Sequence, residues 1–102
     1  MVEKRKLVVL WGKRAYAALQ NAYKSIGEDS PANAEKVRSE ILAITRNLPH
    51  HPEKYPPDKF KKNNPGNYRA FEKHSYRVAY RHTDKEIRIL IFRHVKQEPK
   101  KY

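Results

Sequence analysis

The residues best suited to chemistry are basic side chains that recur at alternate positions late in the chain. The formal net charge is +12, and residues 61–102 hold 12 Lys and Arg but only 4 Asp and Glu. Side chains of a β-strand point alternately to opposite faces of a sheet, so odd or even numbering predicts the face of each residue. This rule predicts one uncovered face with six cations around three apolar side chains: Arg69, Lys73, Arg77, Arg81, Arg88 and His94 around Phe71, Leu90 and Phe92.

Such a face suits a phosphate-rich partner. Guanidinium groups hold phosphates through paired hydrogen bonds, and aromatic rings stack on bases. The alternatives are a solvated basic surface that only keeps the protein soluble, and cations of the tail that touch nucleic acid without chemistry. The cations of the tail are Arg93, Lys96, Lys100 and Lys101.

The elements that must position these residues follow from hydrophobic spacing. Residues 4–10 predict a strand, and apolar stripes over residues 15–26 and 34–48 predict two antiparallel helices that meet near Gly27 and the cap Ser30. Residues 49–66 contain five of the seven prolines and predict a long loop. Three further strands are predicted, over residues 67–73, 76–82 and 86–93. We therefore expect a single α+β domain over residues 1–102, with a two-helix hairpin packed on a small twisted antiparallel sheet in the order β-α-α-β-β-β.

Composition excludes several kinds of site. The chain has no Cys, so neither a disulfide framework nor a thiolate nucleophile is available. The adjacent His50 and His51 lack the spacing of metal ligands, and three scattered glycines cannot form a phosphate loop. No apolar run approaches the length of a membrane span or of a signal peptide. We expect a cytoplasmic protein that needs no metal and no cofactor.

Several segments together resemble the RelE/ParE superfamily of toxins over nearly the whole chain. They are a first strand running into Trp11, a two-helix hairpin, Gly66-x-Tyr68-Arg69, Tyr76-Arg77-Val78-Ala79-Tyr80-Arg81, Ile87-x-Ile89-Leu90-x-Phe92 and His94. The resemblance implies a toxin kept silent by a cognate antitoxin, whose acidic segment wraps its surface. It also implies one of two targets. RelE-like members enter the ribosomal A site and cut mRNA, whereas ParE-like members inhibit DNA gyrase and have generally lost the cleavage residues.

The resemblance further implies roles for individual residues in mRNA cleavage. In that reaction the ribose 2′-OH attacks the neighbouring phosphate, which requires a base, an acid and cations around the developing charge. Arg77 matches the arginine that contacts the scissile phosphate, His94 matches an acid or base, and Arg69 and Tyr102 match a basic residue and a tail tyrosine of nuclease members. The expected RNA-binding residues are Lys73, Arg81, Arg88, Arg93, Lys96 and Phe71.

Two departures weaken the match to the nucleases. Phe71 stands near the position of a second basic residue, and Gln97 stands near that of a tail arginine. In spite of these departures, the main hypothesis is a ribosome-dependent, metal-independent mRNA endoribonuclease that arrests translation. The alternative is a toxin without nuclease activity that inhibits gyrase by protein–protein contact. A non-catalytic RNA-binding module or a degenerate toxin also stays open.

Overall fold

The computed structural model describes residues 7–97 and 99–102. The start of the predicted first strand, at residues 4–6, lies outside this range. The element order confirms the expected β-α-α-β-β-β arrangement of an α+β fold. The elements are β1 (Val8–Trp11), α1 (Lys13–Asp29), α2 (Pro31–Asn47), a short 3-10 helix (Leu48–His50), β2 (Tyr68–Lys73), β3 (Tyr76–His82) and β4 (Glu86–His94).

The two helices form where the apolar stripes predict them. Ser30 separates them, and its hydroxyl accepts a hydrogen bond from the Asn33 backbone N–H at 3.1 Å, with Pro31 in the first turn. Helix α1 continues past Gly27 to Asp29, so the predicted stop at the glycine is two residues early. Both helices place apolar side chains in one core with the sheet, where Leu19 and Ile41 are buried.

The sheet is mixed, whereas the sequence suggested a purely antiparallel one. The strand order is β1-β4-β3-β2; the β2/β3 and β3/β4 pairs are antiparallel, and β1 runs parallel to β4. Short turns force only consecutive strands to be antiparallel, and a parallel pair requires a long crossover connection. Between β1 and β4 the chain makes two helices, a long loop and two strands, so hairpin geometry does not determine their relative direction.

A β-bulge in β4 changes which side chains share a face. Ala79 lies opposite Ile91 while the next residue, Tyr80, lies opposite Ile89, so Leu90 is an extra residue in β4. Alternation therefore reverses after Leu90, and Phe92 and His94 point to the same side as Ile87 and Ile89. We term this side, which packs on the helices, the inner face, and the opposite side the outer face.

Strand β2 also has the orientation opposite to the predicted one. Phe71 lies opposite Val78 in β3 and is only 5% exposed in the inner core. Arg69 and Lys73, at the same alternation, share that inner face. In the sequence Phe71 lies between two cations at alternate positions, which suggested an exposed face. The sequence did not indicate that the Tyr55 ring of the long loop lies 5.0 Å from the Phe71 ring and helps to bury it.

The long loop covers part of the outer face. Its backbone joins the edge of β2, because the Asp58 N–H donates to the Tyr68 carbonyl at 2.8 Å and the Ala70 N–H donates to the Pro56 carbonyl at 3.3 Å. Ala70 and Ala79, which point outward, are consequently buried. The sheet thus has a helix-covered inner face and an outer face that is covered only in part.

Candidate functional site

Arg77 lies on the outer face in a buried ion pair. One guanidinium nitrogen donates to Oδ1 of Asp58 at 2.8 Å, and a second donates to Oε2 of Glu72 at 3.0 Å. The carbon of the guanidinium lies 4.9 Å from the centre of the Phe60 ring. Only 9% of Arg77 is exposed. The guanidinium expected to hold a phosphate is therefore already paired with two carboxylates and an aromatic ring.

Asp58 is the centre of this arrangement, and the sequence did not single it out. Its carboxylate accepts hydrogen bonds from Arg77, from the Tyr102 hydroxyl at 2.7 Å and from the Phe60 backbone N–H at 3.1 Å. Burial alone would raise the pKa of Asp58, but these hydrogen bonds outweigh that effect and hold the pKa below its ordinary value of 3.8. Asp58 is thus an ionised internal partner for Arg77. We call Asp58, Arg77 and Tyr102 the Asp58 cluster.

Tyr102 lies beside Arg77, as the cleavage hypothesis requires, but its hydroxyl is a structural donor. Its backbone is fixed as well, since the Tyr102 N–H donates to the Phe60 carbonyl at 3.0 Å and the Lys62 N–H donates to the Tyr102 carbonyl at 2.7 Å. Burial, followed by the hydrogen bond to Asp58, raises the pKa of Tyr102 above its ordinary value. These hydrogen bonds therefore tie the tail residue to the long loop.

Arg69 lies on the inner face and holds the start of the long loop. Its guanidinium and Nε donate to the backbone carbonyls of Tyr55 at 2.7 Å, Glu53 at 3.3 Å and Gly66 at 3.0 Å. Nearby, the Tyr80 hydroxyl donates to the Pro52 carbonyl at 2.7 Å, and burial raises the pKa of Tyr80 to about 12. The hydrogen-bond donors of Arg69 thus bind backbone carbonyls of the long loop.

His94 and Arg77 lie on opposite faces of the sheet. Their cross-strand partners show this directly, because His94 pairs with Tyr76 and Arg93 pairs with Arg77, and neighbouring side chains of a strand point in opposite directions. The His94 ring meets the Tyr76 ring edge-on at 5.2 Å, and its Nδ1 accepts the backbone N–H of Lys96 at 3.1 Å. The prediction that one face holds both groups is wrong.

The β-bulge at Leu90 explains why the predicted face of His94 is wrong. It also leaves that residue at the border of a groove of about 490 Å³ between α1 and the end of β4. Of the four predicted catalytic residues, the structure brings Arg77 and Tyr102 together on the outer face. It leaves Arg69 and His94 on the inner side, in different strands and with different neighbours.

The residues predicted to bind RNA are also divided between the faces. Phe71 is in the core, and the inner-face Lys73 lies 3.9 Å from Glu40. Arg93 lies over the Phe60 ring at 5.3 Å and donates to the Gln97 carbonyl at 3.1 Å. Lys96 follows the end of β4, while Arg81 and Arg88 remain together on the outer face, where they pair across β3 and β4.

Asp58, Phe60 and Glu72 are the site residues that reasoning from the sequence missed. One signal was present. Asp58 is the only carboxylate in a stretch of loop with Lys59, Lys61 and Lys62, and a lone acid in a basic segment is a candidate partner for a buried arginine. Within residues 7–97 and 99–102, no three His, Asp or Glu side chains are grouped to hold a metal ion. No helix in this described part has the length and apolarity to cross a membrane.

Comparisons with known proteins identify the family. The family profile described as ParE toxin of type II toxin-antitoxin system, parDE, matches residues 9–99. A solved structure described as the chromosomal ParDE TA system from P. aeruginosa has a similar fold, with a TM-score of 0.68 and 21% sequence identity over 87% of this chain and 96% of that chain. No protein with a curated description matches. Since the profile spans nearly all of the described sequence, the chain belongs to the ParE toxin family of type II toxin–antitoxin systems.

Proposed function

We propose that this toxin acts by binding a protein target, DNA gyrase, and not by cutting mRNA. The observation that carries the proposal is the position of Arg77 and His94 on opposite faces of one sheet. Cleavage by a 2′-OH requires an acid, a base and a cation around a single phosphate. A sheet that separates the cation from the imidazole cannot present both to one phosphodiester.

The state of the outer-face residues supports the same proposal. A phosphate that approached Arg77 would have to replace Asp58, a residue that is only 3% exposed and whose carboxylate accepts three hydrogen bonds. Tyr102 donates its only hydroxyl proton to that carboxylate. Removing one partner of a buried ion pair costs about 3–5 kcal/mol. A phosphate that took Arg77 from Asp58 would leave the buried Asp58 carboxylate unpaired, so this exchange is unfavourable.

Family membership supports the choice of target. The matching profile is that of the ParE toxins, and the resemblance on sequence grounds attributes gyrase inhibition without nuclease chemistry to ParE-like members. It also implies a cognate antitoxin, and both partners would be met in the cytoplasm. Protein contact uses exposed apolar side chains, and within residues 7–97 and 99–102 five large ones are exposed: Val8, Leu10, Tyr16, Tyr23 and Val95.

Two assays on the same purified toxin test the proposal. We expect the toxin to inhibit supercoiling of a relaxed plasmid by gyrase, and to leave ribosome-bound mRNA intact when primer extension maps the cut sites. His94→Ala serves as the matched variant, because it removes the only candidate imidazole on β4. Cuts in the mRNA that disappear in His94→Ala, with normal supercoiling by gyrase, would overturn the proposal in favour of the endoribonuclease.

A further inference from the structure

Two segments that are far apart in the sequence meet on the outer face. The Tyr102 N–H donates to the Phe60 carbonyl at 3.0 Å, and the Lys62 N–H donates to the Tyr102 carbonyl at 2.7 Å. These bonds hold residues 59–62 of the long loop beside residues 99–102 of the tail. Both segments consist largely of lysine, with Lys59, Lys61 and Lys62 in the loop and Lys100 and Lys101 in the tail.

A strand cation joins these lysines. Arg93 lies opposite Arg77 on the outer face, and its guanidinium carbon lies 5.3 Å from the centre of the Phe60 ring. The Lys59 ammonium lies 5.3 Å from the centre of the same ring, and Lys100 lines the small cavity that Arg93 and Arg77 border. We call the six cations that the loop, the tail and β4 bring together the loop–tail patch: Lys59, Lys61, Lys62, Arg93, Lys100 and Lys101.

The charge of the loop–tail patch is not cancelled by carboxylates. Within residues 7–97 and 99–102, none of its six members forms an ion pair. The Lys61 ammonium donates to the carbonyls of Lys62 at 3.1 Å and Tyr102 at 3.3 Å, and Arg93 donates to the Gln97 carbonyl at 3.1 Å. Carbonyl oxygens satisfy hydrogen-bond donors but carry no net charge, so the positive charge remains.

The acidic residues of the region do not change this conclusion. Asp58 and Glu72 both pair with Arg77, which is not a member of the patch. Glu98 lies outside the described residues. Like charges that the fold gathers on one surface repel one another, and an anionic partner relieves that repulsion.

The surroundings of the patch favour nucleic acid over an acidic protein. Protein interfaces are depleted in lysine and depend on central apolar side chains, whereas surfaces that bind DNA are polar and strongly positive. The five large exposed apolar side chains named above all lie outside residues 59–62 and 99–102. Lys59, Lys62, Lys100 and Lys101 are instead all exposed to solvent.

The aromatic rings within the patch favour a duplex over a single strand. Single strands bind by stacking their bases on free aromatic faces. The Phe60 ring is occupied by Arg77, Arg93 and Lys59. The rings of Tyr68 and Tyr102 both lie under the Lys61 ammonium, at 4.7 Å and 5.3 Å, so cations already cover the rings on which bases would stack.

We infer that the loop–tail patch binds the phosphate backbone of duplex DNA without reading its sequence. A lysine ammonium is a point charge that contacts phosphate oxygens whatever the neighbouring base. The inference goes beyond the proposed function, because it does not require gyrase to be the target. Since gyrase itself acts on duplex DNA, the patch would add a DNA contact to a complex of toxin and gyrase.

The test measures binding of labelled DNA to the purified toxin by fluorescence anisotropy over a series of salt concentrations. Two duplexes of unrelated sequence should bind equally, and more tightly than a single strand of the same length. The variant Lys62→Gln/Lys100→Gln/Lys101→Gln should weaken duplex binding at least about tenfold. It should also reduce the slope of log affinity against log salt by about 2 to 3, since each phosphate contact contributes about 0.9.

A matched variant separates the patch from the overall charge of the protein. Lys13→Gln/Lys24→Gln/Lys36→Gln removes the same charge from exposed positions on α1 and α2, and it should keep the slope of the native toxin. Thermal unfolding should give both triple variants the midpoint of the native toxin, because all six side chains are exposed.

Equal losses in the two triple variants would show an effect of net charge alone and refute the inference. Failure of the native toxin to bind a duplex, or tighter binding of the single strand, would also refute it. So would a polyglutamate peptide that binds more tightly than the duplex through the same lysines. No gyrase is present in these measurements, so DNA binding without inhibition of supercoiling would retain the patch and reject only the gyrase target.

Discussion

Asp58 determines what Arg77 can do, although the two residues lie 19 positions apart in the sequence. From the sequence, Arg77 is a strand cation of a toxin-like motif, and that description is correct as far as it goes. What the sequence could not provide is the loop carboxylate that pairs with it, because the position of a long proline-rich loop depends on tertiary contacts. The sequence thus identified Arg77 as a candidate cation. Whether Arg77 is free to bind a phosphate depends on Asp58, which the sequence did not single out.

The Asp58 cluster should contribute strongly to stability. We expect Asp58→Ala to lower the free energy of unfolding by about 3 kcal/mol, because Arg77 would remain buried without its main partner. Glu72→Gln is the matched control, since Glu72 pairs with the same guanidinium from a side chain that is 55% exposed, and its loss should cost less than about 1 kcal/mol. Urea unfolding measures both. Equal effects would mean that burial does not distinguish the two carboxylates.

The same cluster should make stability depend on acid. The folded state holds the pKa of Asp58 below its unfolded value near 3.8, so the carboxylate stabilises the fold above that pH. This stabilisation should disappear as the pH falls through the lower, folded-state pKa. The measurement is urea unfolding of native toxin and Asp58→Asn from pH 7 to pH 2, and the difference between them should narrow below about pH 4. A difference that stays constant over this range would contradict the assignment.

At the scale of elements, the helices, the strands and the faces of β3 were predictable, whereas the faces of β2 and of the end of β4 were not. The three-four spacing of apolar residues and the Ser30-Pro31 pair located both helices, since these signals are local. The extra residue Leu90 in β4 is a property of strand pairing, and it reversed the face of Phe92 and His94. The orientation of β2 depended on the loop residue Tyr55, which packs on Phe71. Long-range contacts therefore decided the faces of β2 and of the end of β4.

The junction between β1 and α1 gives an element-scale prediction. A Cβ at Gly12 would lie 3.0 Å from the Ile89 carbonyl oxygen, to which the Gly12 N–H donates at 2.8 Å. Gly12→Ala should therefore push β1 and α1 away from β4 and cost about 1 kcal/mol or more. Gly27→Ala is the control: its Cβ would lie 3.7 Å from that of Ala34, and alanine favours a helix by about 1 kcal/mol.

Thermal unfolding distinguishes the two glycine variants, with a lower midpoint for Gly12→Ala and an equal or higher one for Gly27→Ala. A midpoint for Gly12→Ala at or above that of the native protein would mean that the close approach at Ile89 is relieved without cost. The close contact between Gly12 and the Ile89 carbonyl would then not contribute to the packing of β1 against β4.

For the whole molecule, a net charge of +12 has a different meaning from the one that the sequence alone suggested. A concentrated basic face was expected to hold RNA, but the cations divide between two faces, and several satisfy carboxylates or loop carbonyls. The charge that remains outward is well suited to steering an acidic partner over long range. Attraction to anions was predictable from composition, whereas the separation of cation and imidazole required the fold.

The most direct test of the account replaces the buried pair as a unit. In Asp58→Leu/Arg77→Met, apolar side chains of similar volume take the place of the ions, a kind of exchange that folded proteins often tolerate. The variant is compared with native toxin for inhibition of gyrase supercoiling and for cleavage of ribosome-bound mRNA. We expect it to inhibit gyrase as the native toxin does, with mRNA intact in both. If the native toxin cuts mRNA and the folded variant does not, the Arg77 guanidinium takes part in mRNA cleavage, and the account is contradicted.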